Sequence, residues 1–211
     1  MITFYRDKVS IPKGISVADR RKFEEYIRRA YEVNRKFWRA NVPIKVKPIY
    51  SRADFNRECG YVTRKWNCAM TNNREVIIIF APSVFEQLTN HKLSSYLQIL
   101  IHEINHIFYD NFVGTYTPVW LSEGLAMNIA GQGKRYRGKI ENKYLRYSFT
   151  KQDFGESDEA ARQYYRNSYL FTRLLIKKKG IRAIMSFLRS YRKHKTKKVY
   201  TTLYKKLGKG V

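Results

Sequence analysis

The sequence predicts an α+β fold, with a mixed first half and a helical second half. Apolar residues recur every three or four positions along residues 16–41 and 93–111, which is typical of helices packed on a core. Short runs that alternate or are rich in β-branched residues, such as 44–50 and 76–80, are typical of strands. The apolar share of the 211 residues is 44%, enough for a packed core in spite of the high charge.

In the first half, the chain alternates between helix and strand. We expect a long amphipathic helix over residues 16–41, with Ser16 or Asp19 as its cap. Residues 44–50 are predicted to form a strand. Within it, Pro48 indicates an edge position, because proline donates no ladder hydrogen bond.

A short helix and two further strands are expected next. Residues 53–59 have a helical composition, and residues 66–71 and 76–80 are typical of strands, with turn residues Asn72 and Asn73 between them. The last strand begins with four consecutive apolar residues. Such a run predicts burial on both faces of the strand.

The remaining elements are predicted to be helices. Their apolar pattern places them at residues 93–111, 120–130, 158–179, 181–191 and 199–207. No internal repeat or low-complexity linker divides the chain, so we expect a single domain over residues 1–211. Its parts are an N-terminal helix region (1–43), a central part with the sheet and the site helices (44–130) and a basic helical part (131–211).

The segment HEINH, from His102 through Glu103 to His106, has the H-E-x-x-H pattern inside a predicted helix. Residues four apart lie one turn above each other on the same face, so both imidazoles can bind one ion. Glu103 lies one position further round, close enough to take a proton from a water on that ion. The pattern predicts a catalytic zinc site with Glu103 as general base.

A pair of hydrogen-bonded histidines on a core helix is the alternative for this segment. The chain has only 4 histidines, and two of them lie here. From the composition, about 0.004 matches to the pattern are expected by chance. Burying two imidazoles and a carboxylate without a metal is costly, so we favour the metal site.

A catalytic zinc needs a third protein ligand and one open position. Glu123, in the segment WLSEGLA (residues 120–126), lies near the start of the next predicted helix, and the intervening loop allows the two helices to pack side by side. Taken alone, a glutamate here is typical of a helix start, where the helix dipole favours it. Beside the upstream histidines, we favour Glu123 as the third ligand.

At these residues the chain resembles the gluzincin zinc metallopeptidases, especially the peptidase MA-like families with HExxH and WLxEGxA patterns. The resemblance implies a zincin-like fold, in which a mixed sheet forms an upper lobe, helices form a lower lobe and the active-site helix lies between them. It also implies one catalytic Zn²⁺ held by His102, His106 and Glu123, with Glu103 as general base and acid.

The resemblance further implies that an edge strand holds the substrate backbone beside the zinc. Residues 68–72, CAMTN, occupy the matching place and are similar to the GAMEN strand of gluzincin aminopeptidases, which makes Ala69, Met70 and Thr71 substrate-binding residues. Thr71 replaces the glutamate that anchors a free amino terminus in those enzymes. We therefore expect an endopeptidase rather than an aminopeptidase.

A tyrosine is expected to stabilise the developing oxyanion together with the metal. Tyr165 begins a stretch that is similar to the family's Tyr-x-x-Ser-aromatic helix, and the resemblance makes it the candidate. Tyr164 and Tyr169 are its rivals. Because the chain has 17 tyrosines, a packing role is the default for any one of them.

The charge of the chain is +25, and its basic end is one-sided, because 16 Lys or Arg and no acid follow Glu159. Such a segment attracts polyanions in general, which include nucleic acid, an anionic surface and an acidic peptide substrate. A solvated basic face that only keeps the protein soluble is the alternative. No known nucleic-acid-binding motif accompanies the charge.

The sequence as given indicates neither export nor a membrane span. Its longest apolar run, residues 76–82, is far shorter than the ~18–20 residues of a transmembrane helix, and residues 1–10 lack the apolar segment of a signal peptide. We therefore expect a cytoplasmic protein without a transmembrane segment. Cys59 and Cys68 are not at CxxC spacing and are expected to be free thiols.

The sequence thus predicts a zinc-dependent peptidase that hydrolyses peptide bonds with a metal-activated water. A basic polyanion-binding protein with a structural or catalytically silent zinc site is the alternative from another functional class; the intact Glu103 counts against it, because a structural site does not need that residue. A second alternative is a latent enzyme whose cleft is filled by the loop at residues 131–138 or by the C terminus.

Overall fold

The computed structural model describes residues 1–5, 8–10, 15–72, 75–115, 118–141, 158–194 and 196–208. The described chain is a mixed α+β structure, as the sequence predicts. It divides into two compact units, Met1–Phe108 and Tyr109–Val211. The first unit holds the sheet, and the second is helical. A single domain over residues 1–211 stays a prediction, and residues 142–157 of its basic part lie outside the described residues.

The first unit contains a five-stranded mixed sheet. Its strands are β1 (Ile2–Tyr5), β2 (Lys8–Ser10), β3 (Ile44–Ile49), β4 (Ala69–Asn72) and β5 (Val76–Phe80), in the spatial order β2-β1-β3-β5-β4. β3 and β5 are parallel, whereas the other neighbouring pairs are antiparallel. This order places β4 at one edge of the sheet.

β5 is the buried strand that its apolar run predicts. Ile77, Ile78, Ile79 and Phe80 are all buried, and β5 lies between β3 and β4. β5 joins the edge strand β4 to the rest of the sheet, in a register that pairs Thr71 with Ile77.

The edge position predicted from Pro48 is wrong, because β3 lies between β1 and β5. The pairing of β3 with β1 ends at Val46, whereas its pairing with β5 continues to Ile49. Backbone nitrogens alternate in direction along a strand, and the Lys45 nitrogen donates to the Glu75 carbonyl on the β5 side. The Pro48 nitrogen thus faces the opposite side, at a point where the pairing with β1 has already ended.

β1 and β2 lie in a segment for which the sequence predicts no element. Ile2 and Phe4 of β1 are buried and alternate with exposed residues. An alternation over four residues is too short to be distinguished from chance in a sequence. β1 forms because β3 offers it an edge, through the pairs Ile2–Val46 and Phe4–Ile44.

Helix α1 (Val17–Trp38) is the predicted amphipathic helix. The Ser16 side chain caps it by accepting a hydrogen bond from the Asp19 nitrogen at 3.1 Å. The buried Asp19 carboxylate in turn accepts hydrogen bonds from the Ser83 nitrogen and hydroxyl at 2.9 and 2.7 Å. Besides Asp19, the buried face of α1 consists of Phe23, Ile27, Ala30, Tyr31, Asn34 and Trp38.

Two short helices, α2 (Arg52–Cys59) and α3 (Phe85–Leu88), lie in the connections of the sheet. α2 is the helix that the sequence predicts, and it ends in the left-handed Gly60. The Arg52 guanidinium holds the loop that leads to β4, by donating to the carbonyls of Arg64, Asn67 and Leu88.

Helix α4 (Tyr96–Val113), which carries the HEINH segment, follows a 3₁₀ turn at Leu93–Ser95. The boundary between the two compact units falls inside α4. Asn34 of α1 donates from Nδ2 to the Ile101 carbonyl and accepts at Oδ1 from Asn105 Nδ2, at 3.0 Å in both cases. These buried bonds fix the rotation of α4 about its axis at the turn that carries the motif.

The second unit is built from the end of α4, α5 (Val119–Ile129), α6 (Asp158–Lys193) and α7 (Lys197–Gly208). Gly180, with φ of 77° and ψ of 159°, interrupts α6, which confirms the separation that the sequence predicts. Trp120 Nε1 donates to the Tyr200 hydroxyl at 2.7 Å and joins α5 to α7. Within the described residues, no helix has the length and apolar content that crossing a bilayer requires.

Gly124 allows a close approach of α5 to α6. A Cβ atom at this position would lie 2.8 Å from Thr172 Cβ and closer still to the Thr172 hydroxyl and the Ser168 carbonyl oxygen. A helix backbone cannot yield to such a contact as a flexible side chain can. Because Glu123 is the preceding residue, this approach also determines where the Glu123 side chain begins.

We expect Gly124→Ala to lower the free energy of unfolding by about 1–3 kcal/mol, since an added methyl group in a close-packed contact forces backbone shifts. For a chain of this size, the melting temperature falls by about 2–4 °C per kcal/mol. Gly60→Ala is a control for backbone strain without a packing contact, because a Cβ there meets nothing within 4 Å and the cost is that of the positive φ, about 1–2 kcal/mol. A thermal melt in which Gly124→Ala is as stable as the wild type would contradict the close approach.

Candidate metal centre

The two histidines of the HEINH segment lie on one side of α4, as their spacing predicts. The ring centroids of His102 and His106 are 4.8 Å apart, with an angle of 79° between the ring planes. Both side chains and that of Glu103 are half-buried, whereas Ile104 and Asn105 between them are fully buried. The reactive side chains thus occupy the side of α4 that solvent reaches, while the opposite side is packed in the core.

Glu123, on α5, completes a group of three potential ligands. One nitrogen each from His102 and His106 and one carboxylate oxygen of Glu123 all lie within 4.8 Å of one another. Ligand atoms on one tetrahedral zinc lie about 3.3–3.6 Å apart, since the metal–ligand distances are about 2.0–2.2 Å. Small side-chain rotations close this difference, so the group could hold a metal ion.

The chemistry of these donors fits a zinc ion. Two imidazole nitrogens and one carboxylate oxygen form a donor set of catalytic zinc sites, in which three protein ligands leave the fourth position open. Magnesium and calcium prefer oxygen ligands throughout, so two nitrogens among three donors disfavour them.

Glu103 lies beside this group and is held by the edge strand of the sheet. The Thr71 hydroxyl, in β4, lies 2.8 Å from Glu103 Oε2 and 3.0 Å from the Glu103 carbonyl oxygen. A hydroxyl has a single proton, which these two acceptors share. The contact joins β4 to α4 and orients the Glu103 carboxylate relative to the sheet.

The pKa of Cys68, which directly precedes β4, is affected by the Glu103 carboxylate. Burial raises the pKa of the Cys68 thiol to about 12, and the negative charge of Glu103 adds to this rise. The thiol therefore stays protonated at neutral pH, whereas a nucleophile or a metal ligand requires the thiolate. Cys59 and Cys68 are both buried and neither is in a disulfide, as the sequence predicts.

The three residues predicted to bind substrate, Ala69, Met70 and Thr71, form β4 with half-buried side chains. β4 ends the strand order, and its partner is β5, on one side. The backbone groups on the other side of an edge strand are those with which an extended peptide pairs. The Thr71 side chain, by contrast, is already engaged with Glu103.

The residue predicted to stabilise the oxyanion, Tyr165, lies half-buried on α6, with its ring centroid 6.0 Å from that of Tyr164. Tyr164, a rival in the sequence analysis, is fully buried. Burial and the nearby charge of Glu123 raise the pKa of the Tyr164 hydroxyl well above its usual value. The Tyr164 hydroxyl thus lies close enough to Glu123 for its pKa to respond to that charge. Side chains at adjacent helix positions point about 100° apart. A sequence pattern cannot decide which of the two tyrosines faces the site, because it does not give the rotation of the helix about its axis.

Asn34 is the supporting residue that sequence reasoning missed. It is fully buried on the apolar face of α1, and its amide bridges to Ile101 and Asn105 next to the two histidines. Buried polar side chains are nearly always hydrogen-bonded, so an asparagine inside an apolar stripe was the available signal. The sequence does not show which helix would supply the partners.

Comparisons with known proteins add no assignment. Nothing among protein-family models, curated proteins or solved structures matches this chain. The function therefore has to be argued from the residues of the site itself.

Proposed function

We propose that this protein is a zinc-dependent peptidase of the gluzincin type, with a zincin-like fold and an endopeptidase activity. The observation that carries the proposal is the group of His102, His106 and Glu123, whose ligand atoms lie within 4.8 Å of one another. Glu103, on the helix turn of the two histidines, is the feature that argues for catalysis, because a structural metal site does not require a general base.

Glu103 is the proposed general base and acid. His102, His106 and Glu123 would hold the zinc ion, which would supply Lewis-acid chemistry that acidifies water and polarises a carbonyl group. Glu103 accepts the proton of the attacking water and later delivers it to the nitrogen of the leaving amine. Tyr165 is proposed to donate a hydrogen bond to the developing oxyanion, and Tyr164 and Tyr169 are its rivals.

The edge of β4 is the proposed site for the substrate backbone. Ala69 and Met70 offer backbone groups to an extended peptide, which would lie beside Glu103 because Thr71 joins the strand to that residue. Thr71 carries no charge, so it cannot form an ion pair with a protonated α-amino group. This difference supports cleavage inside peptide chains over removal of amino-terminal residues.

The proposal is tested by metal analysis of the purified protein, together with a cleavage profile on a peptide library. We expect one zinc ion per chain, and cleavage of peptides with blocked and free amino termini at comparable rates. A protein that holds zinc but cleaves no peptide would support the alternative, a polyanion-binding protein with a catalytically silent site. Cleavage restricted to free amino termini would contradict the endopeptidase assignment.

Thr71→Val tests whether activity needs the Thr71 hydroxyl or only a side chain of that size. Valine keeps the size of threonine but cannot donate to Glu103, so we expect kcat to fall about tenfold, the equivalent of one hydrogen bond of about 1.4 kcal/mol, with little change in KM. Thr71→Ser restores the hydroxyl and is the control, with an activity close to that of the wild type. Steady-state kinetics in which valine and serine behave alike would show that the hydroxyl does not orient Glu103.

A further inference from the structure

Residues 177–206, in the second half of α6 and in α7, expose an unusual set of side chains. Seventeen described residues of this stretch are exposed, and they comprise eleven Lys or Arg, one His and five Ser or Thr. We call these exposed side chains the basic face. It contains no acid, no amide and no apolar residue among the described positions.

The basic face differs from the other cation-rich helix of the protein. On α1, the ion pairs Arg28–Glu24, Arg29–Glu25 and Arg35–Glu32 join cations to acids one helical turn away. The basic face has no acid of its own, since the last acid in the sequence is Glu159. Like charges one turn apart destabilise a helix. The composition of the basic face therefore lowers the stability of the protein, so a stabilising role does not explain it. Solubility does not require it either, because mixed charges such as those of α1 suffice.

The cations lie in rows along each helix. On α7, Lys197 and Lys205 are two turns apart on one exposed row, with Thr201 between them, and Lys198, Thr202 and Lys206 follow the adjacent row. On α6, Arg182, Arg189 and Lys193 are spaced by seven and four residues and so share one exposed side. The face therefore presents repeated charges along two helices.

Two tyrosines of α7 are engaged inside the second unit. Tyr200 is buried, accepts a hydrogen bond from Trp120, and stacks on Tyr204, with ring centroids 5.6 Å apart. A basic amphipathic helix often inserts its apolar side into a lipid surface or into the groove of a partner. Among the α7 side chains that the structure describes, those left exposed are lysines and threonines, which recognise a partner by charge and by hydrogen bonds.

The composition of the basic face favours one class of polyanion over the others. Single-stranded nucleic acids are bound by stacking bases on exposed aromatic rings, and the described basic face has none. Stable membrane association needs a second, apolar signal besides basic residues, and protein interfaces are centred on aromatic or apolar anchors. The phosphate backbone of a duplex needs only Lys, Arg and hydroxyl donors, which are the side chains present.

We propose that the basic face binds double-stranded nucleic acid through its phosphate backbone, without sequence preference. This inference is independent of the proposed peptidase activity, because it rests on residues of α6 and α7 alone. It gives the +25 charge of the chain a specific partner in place of a general attraction to anions.

Binding of the full chain to a short DNA duplex of mixed sequence, measured by fluorescence anisotropy over a range of salt concentrations, tests the proposal. Each neutralised phosphate contributes about 0.9 to the slope of log K against log salt. The variant with Lys197, Lys198, Lys205 and Lys206 changed to Gln should bind at least about tenfold more weakly at low salt, with a slope shallower by about 2–4.

The matched control removes the same number of charges from α1, by changing Arg21, Lys22, Arg29 and Lys36 to Gln; all four are exposed. We expect it to bind the duplex within about twofold of the wild type and with an unchanged slope. Equal weakening in both variants would overturn the proposal, because it would reflect net charge alone. Wild type that fails to bind the duplex at low salt would overturn it as well.

Two further probes distinguish the other partners. A single strand of the same sequence, or vesicles of phosphatidylcholine and phosphatidylserine, should bind more weakly than the duplex, and equal or tighter binding of either would overturn the assignment to duplexes. If the α7 variant is unfolded in a thermal melt, the variant with Arg182, Arg189 and Lys193 changed to Gln takes its place, with the same expected loss of binding and slope.

Discussion

Under the proposed function, Glu103→Gln is expected to abolish most of the peptidase activity while the zinc site keeps its affinity for the metal. The amide has the shape of the carboxylate, but it cannot accept the proton of the attacking water or return it to the leaving amine. General acid–base catalysis contributes about 10²–10⁴-fold in rate, and we expect kcat to fall by at least that factor. Steady-state kinetics on an unfolded protein substrate measures the loss, and metal analysis of the same preparation measures the zinc.

The control for this variant is Glu25→Gln, which removes an exposed carboxylate from α1 without touching the site. Its activity and zinc content should match the wild type. If Glu103→Gln instead cleaves at the wild-type rate, Glu103 is not the general base. If it loses zinc together with activity, Glu103 supports the metal, and its catalytic role would have to be shown by another route.

Glu123→Gln is expected to reduce zinc affinity by at least about 100-fold, because it replaces the one anionic ligand of the group with a neutral amide. Loss of a residue that only supports a ligand already costs about 10–100-fold in metal affinity, and loss of a ligand costs more. The variant should emerge from dialysis with little zinc, and zinc addition should raise its melting temperature less than that of the wild type. Zinc titration with a competing chelator measures the affinity directly.

Glu159→Gln is the matched control for the third ligand. Glu159 is an exposed carboxylate at the start of α6, in the same compact unit as Glu123. Its replacement should leave zinc affinity unchanged. A Glu123→Gln protein that binds zinc as tightly as this control would show that the metal has a different third ligand.

The local part of the site followed from spacing along the chain. His102, Glu103 and His106 lie within little more than one helical turn, so the 3.6-residue period alone places them on neighbouring positions of one side. The same reasoning predicted the buried strand β5, because burial on both faces requires an unbroken apolar run. Glu123 needed the upstream histidine motif in addition, since a glutamate near a helix start is otherwise explained by the helix dipole.

Contacts between distant segments could not be predicted in this way. Because proline lacks an N–H, the sequence predicted Pro48 to lie in an edge strand. In the structure Pro48 lies in the inner strand β3, at a position beyond the end of the pairing with β1. The hydrogen bond of Thr71 with Glu103 spans 32 residues, and that of Asn34 with Asn105 spans 71. No periodic pattern encodes either pair, because each depends on how two elements pack.

The sequence by itself determined the chemistry that the chain can offer: two imidazoles and a carboxylate base on one helix, a glutamate downstream, and a C-terminal stretch of cations without acids. These are properties of composition and local period, which the chain keeps in any packing. Only the tertiary structure decided which side chains meet. Packing buries Tyr200 of α7 and leaves the described lysines of that helix exposed, directs Asn34 to α4, and brings Thr71 to Glu103. Each of these outcomes depends on the burial of surfaces far apart in the chain, and the free energy that selects them belongs to the whole core.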